Sequence, residues 1–183
     1  DSYVDSTVPA IGIGELKVSG ANVSLYSDLT VNFLVDANLF VEDAYINPHI
    51  TFTLGRYEDE VTAYTVKDGY YVFSCHHLSP SQIVDTIQVT LYAELNGEAH
   101  TITYDYSIAQ YCYNMLEKTE DANLRRLLVD LLNYGSAAQT YTGYKSTTLS
   151  NASLTEEQKA LYQTSSADFY NKSFATAGIR LEF

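Results

Sequence analysis

The sequence predicts an α+β chain: an immunoglobulin-like β-sandwich over residues 10–106, then an αα-hairpin and a short third helix within residues 107–183, packed on the sandwich as one unit. Three observations carry that expectation. Apolar and polar residues alternate through the first hundred positions, with turn residues about every eight to twelve residues. Two of these breaks, Asp68-Gly69 and Asn96-Gly97, suit the positive-φ positions of a two-residue type I′ hairpin. Beyond Tyr106 the apolar spacing changes from the strand period to the helical one, with no long linker between.

Taken in order, "ELKVSG" and "ANVSLYSDLTVNFLVD" read as strands, with Ser27-Asp28 as a turn inside the second stretch. "EDAYINPHI" carries Pro48, which cannot donate to a ladder and so marks a loop or an edge. "ITFTLG" and "EVTAYTV" follow as strands, joined by the polar turn "RYEDE". The first hairpin sets Val66 against Tyr71, Tyr64 against Phe73 and Thr62 against Cys75, which points Cys75 to the apolar side. In the second, Leu95 opposes Glu98, while Ala93, Leu91, Val89 and Ile87 oppose His100, Ile102, Tyr104 and Tyr106 on a core face. Gln88, Thr90 and Tyr92, with Thr101, Thr103 and Asp105, remain on a wet face.

"YSIAQYCYNMLEK" places Ile108, Tyr111, Cys112 and Met115 on one helical stripe. Residues 118–123 form the corner, with Thr119 as N-cap of the next helix and Glu120 and Asp121 in its first turn. That helix carries Leu124, Leu127, Leu128, Leu131, Leu132, Ala138 and Tyr141, and stops at Gly143. Within it, "LLVDLLNYGSAAQTYTGY" turns from leucine to small residues. Gly135 costs about 1 kcal/mol relative to alanine in a helix. The cost is explained if the first helix or the sheet comes too close for a side chain, with Tyr134 and Tyr141 flanking the contact. Thr155 and Gln158 form a capping box behind Leu154, and "GIRLEF" reads as a closing strand.

At 46% hydrophobic and 18% charged residues, the chain has the balance of a folded domain. Its net charge of −13 repels a phosphate backbone, and its ten Lys and Arg residues form no stripe, which argues against nucleic acid and anionic membrane. No apolar run approaches the roughly 20 residues of a membrane helix, so membrane insertion is not expected. The sequence opens on no signal-peptide pattern, which says nothing of a longer parent.

No catalytic motif is found, and no catalytic residue is assigned. "GSAAQTYTGYKS" fails as a phosphate loop because Tyr144 rather than lysine follows Gly143. "GIG" at 12–14 lacks its third glycine, and neither G-x-S-x-G nor H-E-x-x-H occurs. His76 and His77 are adjacent on a strand, so they point to opposite faces and cannot chelate one metal together. His100 lies on the apolar face and His49 in a loop, so no metal ligand is assigned. "ED" at 42–43 and "EDE" at 58–60 lack the spacing and glycine of a calcium loop; solvated turns are the simpler reading, with Ca2+ the alternative. Cys75 and Cys112 both point inward, as two free buried thiols or as one bridge tying the sheet to the first helix.

Tyrosine is the outlier, at 17 of 183 residues with no tryptophan. Several tyrosines fall on core faces, whereas Tyr70 and Tyr92 fall outside by parity. With Gln88 and Asp105 they form the candidate ligand-binding set. Aromatic rings pack on pyranose faces, and amides and carboxylates take the hydroxyls.

Four stretches in order, "GANVSLYSDLTVNFLVD", "DGYYVFSC", "DTIQVTLYAELNGEAHTITYDYSIAQYCYNML" and "LLVDLLNYGSAAQTYTGY", resemble a recurrent module. It is found in large secreted and cell-surface proteins of Gram-positive anaerobic bacteria. The resemblance runs from about Gly20 to about Leu154. It implies an extracellular, non-catalytic module, secreted or attached to the cell wall, beside polysaccharide-degrading, dockerin-bearing or adhesive domains. It carries over no catalytic residue and no ligand.

The leading expectation is therefore an interaction or spacer module. Its partners would be neighbouring domains of a multimodular protein, together with polysaccharide or a host or cell-surface ligand. Carbohydrate binding through a tyrosine-bearing β-face is the alternative. A glycoside hydrolase-like enzyme, with carboxylates brought together only by the fold, comes third.

Overall fold

The computed structural model describes residues 3–6, 16–26, 28–41 and 44–162. The expected closing strand, the acidic pair at 42–43, Ser27 and the first residues assigned to the sandwich lie outside them. Among the described residues, eight strands form two antiparallel sheets of four. In the first, β1 (Gly20–Ser24), β2 (Leu29–Asp36), β6 (Tyr70–Leu78) and β5 (Thr65–Lys67) lie side by side in that order. In the second the order is β4 (Tyr57–Val61), β3 (Ile46–Leu54), β7 (Ile87–Leu95) and β8 (Glu98–Tyr106). The helices α1 (Ile108–Lys118), α2 (Ala122–Thr142) and α3 (Glu156–Lys159) follow, so the chain is an α+β fold built on a β-sandwich.

Period-2 alternation builds the core between the sheets. Val31, Phe33 and Val35 of β2 and Phe73 and Cys75 of β6 meet Ile50 and Phe52 of β3 and Val89 and Leu91 of β7, all buried. Phe33 and Phe52 span the two sheets at 5.3 Å between ring centroids, and Tyr104 and Tyr106 approach Phe33 edge-on.

Local turn chemistry fixes both hairpins. Asp68, Gly69, Asn96 and Gly97 all have positive φ, and β7 pairs with β8 in the expected register from Leu95↔Glu98 to Ile87↔Tyr106. The first hairpin pairs from Lys67↔Tyr70 to Thr65↔Val72 and ends there. "EVTAYTV" is therefore two strands. Residues 57–61 belong to the second sheet and 65–67 to the first, with 62–64 crossing between them, so Thr62 has no ladder partner opposite Cys75. "YEDE" is likewise edge strand rather than turn, and the turn is Gly55-Arg56. Pro48 lies in β3 where Asn47 has φ +54, the β7 pairing slips and β4 does not reach, so its missing donor breaks no ladder.

Ser107 caps α1 by accepting from Gln110 N–H at 3.0 Å, and the stripe Ile108, Tyr111, Cys112 and Met115 is buried. Asp121, not Thr119, caps α2: its carboxylate accepts from the amides of Asn123 and Leu124, while Thr119 ends α1. Gly143 closes α2 with φ +71. Thr155 and Gln158 form the capping box of α3.

The small-residue stretch of α2 is a docking seat. A Cβ on Gly135 would lie 2.6 Å from Ser150 Oγ and 2.9 Å from Ile83 Cδ1. The close neighbour is thus the segment linking β6 to β7, which contains the 3-10 turn Pro80–Gln82, together with a return loop at 145–151. It is neither α1 nor a strand. Tyr134 and Tyr141 do not flank this contact; both are exposed, Tyr141 at 94%.

Buried side chains hold the loop. Gln139 receives Ser150 N–H at 2.9 Å and donates to the Thr148 carbonyl at 2.9 Å, and Ser150 Oγ donates to the Leu132 carbonyl at 2.6 Å. Asp85 completes the seam by accepting from Tyr144 Oη at 2.7 Å and Lys145 Nζ at 2.6 Å.

The N-terminal segment joins the first sheet through Asp5↔Ala21 backbone bonds. The fully buried Asp5 carboxylate accepts from Tyr106 Oη at 2.6 Å, Asn114 Nδ2 at 2.8 Å and Lys118 Nζ at 3.1 Å. Three donors on β8 and α1 thus offset its burial.

Candidate functional site

The outer face of the first sheet is a shallow open groove of about 910 Å³. Its floor follows from register. Because Phe33, Phe73 and Cys75 face inward, their neighbours Asn32, Leu34, Val72 and Ser74 face out. Asn22, Asn32 and Ser74 lie side by side across three strands. Ser74 Oγ donates to Asn32 Oδ1 at 2.7 Å, and Asn32 Nδ2 donates to Asn22 Oδ1 at 2.8 Å.

The next row is apolar, Leu34 beside Val72. Gly20 opens that row, and a Cβ there would lie 2.6 Å from Val4 Cγ1, so Val4 of the N-terminal segment packs where a side chain would sit. The third row holds Tyr70, paired with Lys67. Amide, apolar and aromatic bands therefore cross one concave surface, with Val4 and Ser6 lining its β1 side.

The candidate set Tyr92, Gln88, Asp105 and Tyr70 does not come together. Tyr92, Gln88 and Asp105 share the outer face of the second sheet, where Gln88 pairs with Asp105 and Tyr92 with Thr101. Tyr70 lies on the outer face of the other sheet. Parity gives the side of a strand that faces water; it does not give the sheet. Tyr92 is also engaged, since its ring stacks on His49 at 4.7 Å with 3° between the planes. His49 is thus on a strand, not in a loop.

Cys75 and Cys112 are both free and buried, so the bridge is not formed. Burial, with the nearby Asp59 carboxylate, pushes the Cys75 thiol up to about 12. Burial likewise raises that of Cys112. Neither is a ready thiolate.

His76 and His77 do not point apart. The β2–β6 register slips between Leu29 and Val31 and His77 has φ +63, which breaks the alternation. The two Nδ1 atoms lie 3.5 and 3.4 Å from Asp28 Oδ2. Among the described residues no group of three His, Cys, Asp or Glu side chains could hold a metal ion. On β4, Asp59 faces inward beside Phe52 while Glu58 and Glu60 sit opposite Thr53 and Thr51 on the outer face, so the "EDE" carboxylates diverge. No helix among the described residues is long and apolar enough to cross a membrane.

Sequence reasoning missed Asp5 and the amide row. Asp5 gave no local signal, because its partners are about a hundred residues away. The row was available from parity in "ANVS" and "LTVNFLVD", had the strand neighbours been known.

No protein-family model matches the chain, and no curated protein matches it. Among solved structures, it is similar to one described as "Crystal structure of Br derivative BhCBM56", at 14% identity and a TM-score of 0.35. That match covers 56% of this chain and 98% of the other. Likeness at this level is too loose to bear on fold or ligand.

Proposed function

We propose that the chain is a non-catalytic carbohydrate-binding module, extracellular and part of a larger cell-surface protein, with the groove on the first sheet as its ligand face. The observation that carries this reading is the groove floor. Amide and hydroxyl groups, an apolar strip and a tyrosine ring lie in adjacent rows of one open surface, the combination that hydroxyl-rich rings with apolar faces require. Glycoside hydrolysis calls on two carboxylates flanking the bond, and the described lining carries one, Asp68.

The setting rests on the four ordered stretches that resemble modules of Gram-positive surface proteins. What supports an immunoglobulin-like reading is the strand order: β1-β2-β6-β5 against β4-β3-β7-β8 follows the immunoglobulin arrangement with one added strand. The short link between α1 and α2, and their mutual contact, support reading them as an αα-hairpin.

Affinity electrophoresis through gels carrying plant and host polysaccharides tests the function. Retardation by at least one polysaccharide is expected. Uniform lack of retardation across the panel would leave the spacer role instead.

A further inference from the structure

We infer that the groove takes an uncharged glycan chain and that the Asn22 side-chain amide is its donor to that chain. The inference rests on the carbohydrate-binding reading and adds to it a ligand class and a contact.

The first support is an account of the hydrogen bonds on the floor. A side-chain amide carries two N–H donors and a carbonyl oxygen. Asn32 commits both kinds of group to its neighbours, accepting from Ser74 and donating to Asn22. Asn22 commits only its oxygen. Its Nδ2 has no hydrogen-bond partner among the described residues, and it lines the groove. The row therefore runs one way, from Ser74 through Asn32 to Asn22, and each bond polarises the next toward the donor end. Donors face out at β1, and the lone pairs of Ser74 Oγ remain at β6. Sugar hydroxyls both donate and accept, so they can satisfy both ends of the row.

The second support is charge. Lys67 and Asp68 are the side chains charged at neutral pH among the described lining residues; they are adjacent and opposite in sign. A polyuronate or other acidic glycan needs clustered cations to offset its repeating charge. Here it would meet a chain of net charge −13. An uncharged chain meets neither obstacle.

The test uses affinity electrophoresis with the whole chain. One set of gels carries mixed-linkage glucan, glucomannan or arabinoxylan; the other carries polygalacturonate or hyaluronan. Asn22→Asp keeps an acceptor for Asn32 Nδ2 but removes both outward N–H donors. Expected are retardation on at least one neutral gel that persists at high salt, none on the acidic gels, and a loss of affinity of about tenfold or more in Asn22→Asp.

Circular dichroism and the melting temperature check that the variant folds. Should it melt early, Asn22→Val, a strand-favouring residue with no side-chain donor, gives the same reading. Retardation on acidic gels alone overturns the inference while leaving carbohydrate binding intact. So does retardation on neutral gels that a folded Asn22 variant does not weaken. Lack of retardation on every gel overturns both.

Discussion

Replacing Gly135 with alanine tests the seam between α2 and the sandwich. By propensity alone the change favours the helix by about 1 kcal/mol. The structure predicts the opposite sign. The new Cβ would lie 2.6 Å from Ser150 Oγ and 2.9 Å from Ile83 Cδ1. Ile83 is fully buried and its Cβ would also lie only 3.3 Å away. Ser150 cannot move freely, because its amide is held by Gln139 Oε1 at 2.9 Å and its hydroxyl donates to the Leu132 carbonyl at 2.6 Å.

Overpacking of this kind costs about 1–3 kcal/mol, and loosening buried hydrogen bonds adds about 1 kcal/mol or more. After the propensity gain, the net loss is about 2 kcal/mol, a fall in Tm of about 4–8 °C for a domain of this size. Thermal unfolding followed by circular dichroism reads it. Combining the change with Ser150→Ala removes the clashing oxygen, so the pair should be less destabilised than the sum of the singles by about 1 kcal/mol. An unchanged or raised Tm in Gly135→Ala, or strict additivity in the pair, would refute the close-packing account.

Two further predictions concern buried groups. Desolvation, partly offset by Arg126, raises the Asp130 carboxyl from 3.8 to about 6, and its Oδ1 is buried without a hydrogen-bond partner among the described residues. The folded state therefore holds this proton more tightly than the unfolded one, and stability falls as pH rises from about 4 through 6. Asp130→Asn should leave stability at pH 4 unchanged and raise it at pH 7 by about 1 kcal/mol, a figure reduced for the half-exposed position; equal effects at both pH values would count against it. Cys75 and Cys112 should resist thiol reagents at neutral pH until the chain is denatured, and dithiothreitol should leave the Tm unchanged. Rapid labelling of the native protein, or a Tm lowered by reductant, would contradict their placement as free buried thiols.

The β7–β8 ladder was legible in the sequence because Asn96-Gly97 fixes register locally, and every later pair follows by counting. The change of sheet at residues 62–64 was not, since its mark in "EVTAYTV" is a one-residue slip of phase at Ala63-Tyr64, with no glycine, proline or other turn residue beside it. The same ambiguity hides the site. Tyr70 and Tyr92 are both outward by parity, and only the order of strands puts them on different sheets. Alternation also fails where the backbone departs from regular strand, as at His77 with φ +63. Gly135 signalled a close contact through its cost in a helix. The partner, a loop more than fifty residues upstream together with a return loop downstream, left no mark that spacing could reveal.

The most direct test of the carbohydrate-binding groove is calorimetric titration of a polysaccharide that retards the chain into native protein, Tyr70→Ala and Tyr92→Ala. The account predicts that Tyr70→Ala weakens binding by about tenfold or more while Tyr92→Ala binds as the native chain does. Binding lost in Tyr92→Ala and kept in Tyr70→Ala would contradict it and move the ligand to the opposite face of the sandwich.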